Sequence, residues 1–143
     1  AKTLFPYTTL FRSVQLLDRC RSALDAGLKI SLHSDYPVTD FLPLQQIDDA
    51  VTRVVRSNNT VLNPAECLTV EQALRAKTLD AAWQCHIDQH VGSLEAGKCA
   101  DFVVLARDPR TVNLQHDAER IADIAVLQTW VNGRQVYQQA PLA

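Results

Sequence analysis

Apolar residues recur at helical spacing through much of the first half of the chain. Between Val14 and Ala26, and again between Leu44 and Arg56, they repeat every three or four positions and form one apolar face. Pro43 comes directly before the second segment, where proline commonly opens a helix. Thr69 is suited to cap a third helical segment, VEQALRAKTLDAAW, which we predict to be interrupted near Asp80. The pattern therefore predicts three helical segments in this half.

A short β-prone segment separates the first two helical patterns. Leu28–His33, with the sequence LKISLH, lies between Gly27 and a polar cluster of Ser34, Asp35 and Pro37. Such bounds are typical of a strand that follows a helix after a glycine turn and ends in a loop. Helix, strand, polar loop and helix in this order indicate an α/β repeat.

The last third of the chain has short apolar runs in place of helical spacing. Phe102–Leu105 is one such run, and the runs 125–131 and 135–137 flank the dipeptide Asn132-Gly133. Asn-Gly between two β-prone runs is a strong signal for a tight hairpin. We therefore predict β structure in this part and a domain boundary near residue 90.

The first residues differ from the rest of the chain. Leu4–Ser13, LFPYTTLFRS, has no clean period and resembles, residue for residue, the in-frame translation of a sequencing-adapter oligonucleotide. We therefore predict that this segment is not native and that the natural gene begins upstream of Val14. The predicted domains are residues 1–13, adapter-derived; 14–90, helical with one strand; and 91–143, β structure.

Composition and charge exclude several classes of protein. Apolar residues make up 47% of the chain and charged residues 21%, as in globular proteins. Fourteen Lys and Arg oppose sixteen Asp and Glu without a long run of either sign, which argues against a nucleic-acid partner. No apolar stretch approaches the length of a membrane span, so we expect a soluble, cytoplasmic protein that binds no membrane. The sequence leaves a homo-oligomer open.

The four cysteines are far apart in sequence and form no C-x-x-C pair. This spacing suggests neither a zinc ribbon nor a redox dithiol, although an even count leaves a disulfide open. We expect buried free thiols at all four positions. They are Cys20, Cys67, Cys85 and Cys99.

Two residues at the end of the predicted strand could carry chemistry. His33 and Asp35 are two positions apart, so their side chains point to one face at its C-terminal end, where α/β folds collect active sites. A carboxylate there can bind a divalent metal or accept a proton from an attacking water. The alternative on local sequence alone is an Asp that fixes the following turn before Pro37.

Other polar residues are weaker candidates. Tyr36, Pro37 and Val38 follow the Asp directly and are predicted to wall a substrate pocket. His86 and His90 are four apart and could share a helical face as a metal pair, but no acidic third ligand is near. Surface histidines are the preferred interpretation for this second pair.

Four sequence blocks together resemble the C-terminal part of family 3 amidohydrolases. They are HSDYPVTDFLPL, ECLTVEQALRAKTLDAAW, VGSLEAGKCADFVVLARDP and IADIAVLQTWVNGRQVY, and they occur in the family's order. The S-D-x-P-V motif of the first block is quite specific, whereas the third is shared more widely across the amidohydrolase superfamily. Together the blocks cover nearly all of Val14–Tyr137.

The resemblance implies an α/β fold. We expect the C-terminal end of a metal-dependent (β/α)8 barrel and part of a small β-sandwich, truncated because 143 residues are too few for a whole barrel. In that family the carboxylate matching Asp35 binds a divalent metal, typically zinc, and acts as general base and then general acid. The family's other metal ligands come from earlier strands, and His33 does not match its H-x-H pair. His33 stays a substrate-facing candidate or a plain strand-end residue.

The function implied by the resemblance is hydrolysis of a carbon–nitrogen bond. We expect a small-molecule substrate with an exocyclic amide, such as an N-acyl or N-formyl amine, in the full-length protein, with the fragment alone inactive. One alternative is a relative that hydrolyses cyclic amides or deaminates its substrate. A different alternative is a non-catalytic binding or scaffold module without the metal site.

Overall fold

The computed structural model has helices in its first part and a β-sheet near its end, and it describes residues 16–114 and 120–140. The helices are α1 (Cys20–Asp25), α2 (Pro43–Thr52), α3 (Val70–Lys77) and α4 (Leu79–Gln84). The strands are β1 (Val54–Val55), β2 (Thr60–Val61), β3 (Phe102–Leu105), β4 (Val126–Val131) and β5 (Arg134–Gln138). Short 3-10 helices span Pro64–Glu66, Pro109–Thr111 and Ile121–Asp123.

The first predicted helix is confirmed as the shorter α1. Val14 lies outside the described residues, and the helix ends at a turn in which Gly27 has a φ of 80°. Such a positive φ favours glycine after a helix, as the sequence indicated. Cys20 and Leu24 turn the apolar side of α1 toward the core.

The second predicted helix is confirmed at its start and wrong at its end. Pro43 occupies the first turn of α2, but the helix stops at Thr52 because Arg53 has a φ of 48°, in the left-handed region. The next residues, Val54–Val55, pair antiparallel with β2 as a two-residue strand. β-Branched residues favour strands, and this hairpin pairing with Thr60–Val61 overrides the helical pattern that continued to Arg56.

The predicted strand Leu28–His33 pairs with no strand in the described chain. A β ladder needs a second strand, and none of the described strands pairs with this segment. Ile30 and Leu32 nevertheless pack against the core, two positions apart as expected for one face of a strand. The segment therefore has the predicted alternation without the predicted sheet.

The third helical pattern is confirmed as α3 and α4. Thr69 forms a capping box at the start of α3: its Oγ1 accepts from the Gln72 N–H at 3.2 Å, and its N–H donates to Gln72 Oε1 at 2.9 Å. The helix breaks at Thr78, close to the predicted Asp80. Asp80 is buried and pairs with Arg75 at 3.1 Å.

The core lies between the helices and the segment around residues 112–124. Helix α2 packs against α3 and against the 3-10 helix Ile121–Asp123, and α3 contacts the 3-10 helix Pro109–Thr111. The elements bury one apolar cluster that stabilises the fold by removing apolar surface from water. Its buried members are Ile47, Val51, Leu68, Ala73, Val112, Ile121 and Ile124.

The predicted hairpin is confirmed in a sheet of order β3-β4-β5, antiparallel throughout. Asn132 and Gly133 have φ values of 50° and 71°, the conformation that an Asn-Gly turn requires. The Asn132 N–H donates to Asp101 Oδ1 at 2.5 Å, and so Asp101 fixes this turn. Phe102 stacks on Trp130 across β3 and β4, with ring centroids 5.5 Å apart.

All four cysteines are free thiols, but the prediction that they are buried is wrong. Cys85 is exposed, because it lies just after α4 ends, and the other three are half-buried. Burial raises the thiol pKa of Cys20 and of Cys67.

Across the two described stretches, no helix has the length and apolar character needed to cross a membrane.

Candidate functional site

Asp35 begins a tight turn directly after the extended segment. Its φ is 53°, in the left-handed region that Asp adopts more readily than most residues, and its carbonyl accepts from the Val38 N–H at 2.8 Å. The hydroxyl of Thr39 donates to the carbonyl of Ser34, which closes the turn from outside. The backbone of Asp35 therefore fixes the turn, as the sequence alternative proposed, and within residues 16–114 and 120–140 no hydrogen bond ties its carboxylate to that turn.

His33 contacts Asp35 through the backbone. The Asp35 N–H donates to His33 Nδ1 at 3.1 Å, so Nδ1 acts as an acceptor and Nε2 is left to face a ligand. Both side chains are exposed. Among the described residues no side chain donates to the Asp35 carboxylate. The pair thus presents a carboxylate and a ring nitrogen to solvent from one short segment.

These two residues line a cleft of about 420 Å³ between the extended segment, α1 and α2. Tyr36 and Val38 are 71% and 74% exposed and do not line it, and neither does Pro37. Their predicted role as pocket walls is untested by this geometry. The residues that line the cleft are Asp18, Cys20, Ser31, Leu32, His33, Ser34, Asp35, Thr39, Gln46, Asp49, Ala50 and Arg53.

The wall opposite Asp35 comes from α2 and its C-terminal cap. Gln46 and Ala50 are four positions apart and share one face of α2, and Arg53 follows as the residue that caps the helix. The Arg53 guanidinium donates to three backbone carbonyls, those of Leu62, Asp18 and Leu17, at 2.7, 2.9 and 2.7 Å. Arg53 therefore holds the cleft wall in place through backbone oxygens.

A model of the amidohydrolase family matches residues 8–137, which is most of the chain. The chain belongs to the amidohydrolase family.

Individual relatives agree with this assignment. The amidohydrolase chain is 36% identical over 117 residues to Protein LONG AFTER FAR-RED 3 of Arabidopsis thaliana. It is 35% identical over 119 residues to N-substituted formamide deformylase of Arthrobacter pascens. These matches cover 82% and 83% of this chain and 19% and 21% of those proteins. The chain thus spans about a fifth of the length of these curated relatives.

A solved structure shows the same fold. An amidohydrolase from Thermotoga maritima MSB8 matches with a TM-score of 0.58 and 21% identity, over 84% of this chain and 26% of that one. At this level of identity the likeness establishes the fold alone. The helices and strands described above are therefore arranged as in part of an amidohydrolase.

The described residues of this amidohydrolase do not complete a metal site. No group of three or more His, Cys, Asp or Glu side chains within residues 16–114 and 120–140 is placed to hold a metal ion. A catalytic zinc normally takes three protein ligands, and Asp35 with His33 supplies at most two. His86 and His90 are both exposed and follow the end of α4, so they share no helical face. The preferred interpretation of this second pair as surface histidines holds.

The sequence pointed to Asp35 and His33 but missed the residues that surround them. Gln46 and Arg53 line the cleft, and Lys77 donates to the Leu32 carbonyl at 3.0 Å behind it. The spacing of Gln46 and Arg53, seven positions apart in the predicted helix, was a usable signal, although Arg53 itself caps α2. Nothing in the local sequence around Lys77 indicates its contact with the extended segment.

Proposed function

We propose that the protein containing this chain hydrolyses a carbon–nitrogen bond of an exocyclic amide in a small molecule. Family membership supports hydrolysis of this kind of bond, and a relative at 35% identity is named for deformylating N-substituted formamides. The single observation that carries the proposal is the position of Asp35, which lines a cleft at the end of the extended segment. An N-acyl or N-formyl amine is the substrate class we favour.

In this proposal Asp35 moves the proton. Its carboxylate accepts a proton from the water that adds to the amide carbon, and it then delivers that proton to the departing nitrogen. The carbon–nitrogen bond breaks as the amine leaves, and the products are a carboxylic acid and an amine. Because amide nitrogen is a poor leaving group until protonated, the second step depends on a carboxylic acid at this position.

A divalent metal, which we propose to be zinc, belongs to this function. It would polarise the carbonyl and lower the pKa of a bound water. Asp35 would be one of its ligands, and the others would have to come from outside the described residues, since those residues hold no cluster of three donors. Metal content measured on the purified protein and on Asp35→Asn tests this ligand role independently of activity.

The fold supports a proposal for the architecture. Residues 14–90 would form the last strand and helices of a (β/α)8 barrel, and residues 91–143 would contribute strands to a composite β-sandwich. The unpaired segment Leu28–His33 supports this, because a parallel barrel strand needs neighbours on both sides. The alternation of Ile30 and Leu32 toward the core is also that of a strand.

The test is hydrolysis by the protein encoded by the whole reading frame that contains this chain. We expect release of free amine from a series of N-alkyl and N-aryl formamides. Asp35→Asn should lower kcat on the order of 10²-fold to 10⁴-fold, the range for loss of a general acid–base group. Asp40→Asn is the matched control, because Asp40 is exposed in the same loop and lines no part of the cleft.

The products discriminate the alternatives. An exocyclic amide gives two products, a cyclic amide opens to one, and a deaminase releases ammonia. Full activity in Asp35→Asn would refute the role of Asp35. Absence of hydrolysis on every amide class by a folded protein that binds no divalent metal would favour the non-catalytic binding module.

A further inference from the structure

A lysine and a glutamine form a contact that no sequence motif indicated. Lys77 is the last residue of α3, and its ammonium donates to the Leu32 carbonyl at 3.0 Å and to Gln46 Oε1. The Phe41 ring lies beside it, with the Lys77 Nζ 5.8 Å from the ring centroid. We call Lys77, Gln46 and the Leu32 carbonyl the lysine clamp.

The Lys77 ammonium donates its hydrogen bonds to neutral oxygen atoms. In the described part of the chain Lys77 has no carboxylate within ion-pair distance, and burial lowers the pKa of its ammonium. Partial burial of an ammonium costs free energy unless its donors are satisfied. The backbone carbonyl and the amide oxygen satisfy two of its three donors. Because the Lys77 ammonium is partly buried against these two oxygens, its hydrogen bonds can fix their positions relative to one another.

The two acceptors lie on opposite sides of the loop that bears Asp35. Leu32 precedes Asp35 by three residues, and Gln46 lies in the first half of α2, after the loop. Leu32, Gln46 and Asp35 also line the same cleft. One ammonium therefore joins the start of the loop to the helix at its end.

We propose that Lys77 is a positioning residue for Asp35: the lysine clamp fixes both ends of the loop and so sets where the carboxylate stands in the cleft. This rests on the proposed function, because the position matters only if Asp35 reacts. Asp35 sits at a φ of 53°, a conformation that its surroundings must maintain. A displacement of a catalytic group by about 1 Å can lower a rate on the order of 10²-fold.

The experiment compares Lys77→Met, Lys77→Arg and the control Lys29→Met in the whole protein. Methionine keeps the aliphatic length and removes the donors, whereas arginine keeps the positive charge and several N–H donors. Lys29 is exposed, its Nζ lies 4.1 Å from the centroid of the Trp83 ring, and it takes no part in the hydrogen bonds of the clamp, so its loss leaves the clamp intact. For each variant kcat and KM are measured, and hydrogen exchange is followed in the peptide covering residues 31–39.

We expect Lys77→Met to lower kcat on the order of 10-fold to 100-fold with little change in KM, since the substrate still binds beside a displaced carboxylate. Exchange should rise in residues 31–39 and stay unchanged in the distant β3–β5 sheet. Lys77→Arg should restore most of kcat, and Lys29→Met should behave as wild type. Rescue by arginine separates positioning from a general loss of folding.

Two outcomes would overturn the proposal. Lys77→Met with unchanged kcat and unchanged exchange in residues 31–39 would show that the clamp positions nothing. A fall in kcat matched by increased exchange throughout the protein, with no rescue by arginine, would show a purely structural lysine. If the wild type hydrolyses no amide, the proposed function fails, and local exchange in Lys77→Met still decides whether the clamp orders the loop.

Discussion

At the scale of single residues, Glu66 shows how a buried carboxylate attaches one element to another. It is 5% exposed and accepts hydrogen bonds from the Ser22 N–H at 2.9 Å, the Ser22 hydroxyl and Arg19 Nε at 3.4 Å. The Ser22 hydroxyl and backbone N–H, with Arg19, hold the pKa of Glu66 below its ordinary value. The ionised form is therefore the one that fastens α1 to the 3-10 helix Pro64–Glu66.

This arrangement predicts a pH-dependent contribution to stability. Because the pKa of Glu66 is lower in the folded than in the unfolded protein, its contribution is full above the ordinary carboxyl pKa of about 4.5 and is lost as the pH falls further. Thermal unfolding of wild type and Glu66→Gln should differ most near pH 7 and converge as the pH falls below the ordinary Glu pKa. A Tm difference that is constant with pH would contradict this assignment. Glu71→Gln, an exposed residue in α3, is the control and should show a much smaller difference.

At the scale of elements, the capping box at the start of α3 confirms the helix cap that the sequence predicted at Thr69. Thr69 and Gln72 satisfy one another's backbone N–H groups, and these groups would otherwise lack partners at the helix start. Thr69→Ala should lower the free energy of unfolding by about 1 kcal/mol, and Thr69→Ser should restore most of it. Urea unfolding measures both. An alanine variant as stable as wild type would mean that water replaces the hydroxyl without cost.

The elements predicted correctly are those that neighbouring residues determine. The Asn132-Gly133 turn and the cap at Thr69 each depend on residues within a few positions of one another. The end of α2 was predicted wrongly because β1 takes its partner from Thr60–Val61, which a helical period cannot reveal. Leu28–His33 has the alternation of a strand, but the existence of a ladder depends on a neighbour that the segment itself does not specify.

The same distinction applies to the candidate site. Asp35 and His33 were predicted together because two positions on a strand share a face, and both line the cleft. Lys77 contacts Gln46 across 31 positions and Leu32 across 45, so no window of local sequence contains the lysine clamp. Only the packing of α3 against α2 brings these groups together.

At the scale of the whole molecule, one ion pair joins parts of the chain that lie 72 positions apart. Arg120 Nη2 donates to Asp48 Oδ2 at 3.0 Å and connects α2 to the 3-10 helix Ile121–Asp123. Asp48 is 4% exposed, and its Oδ1 has no hydrogen-bond partner within the described stretches. Burial raises the pKa of Asp48, while Arg120 opposes this shift. The ionised carboxylate therefore depends on its arginine.

A double-mutant cycle tests this dependence. Arg120→Met should destabilise the fold by about 3 kcal/mol, the lower end for breaking a buried pair, because the Arg120 side chain is 36% exposed. The penalty of Arg120→Met should shrink as the pH falls toward the ordinary pKa of Asp. A carboxyl whose pKa is raised by folding contributes most to stability when it is protonated, and it loses that contribution as the pH rises. Asp48→Asn with Arg120→Met should cost less than the two single changes added together, since no charge is then buried alone. Additive free energies, measured by urea unfolding near pH 7, would show that solvent already screens the pair and that apolar packing alone joins the two parts.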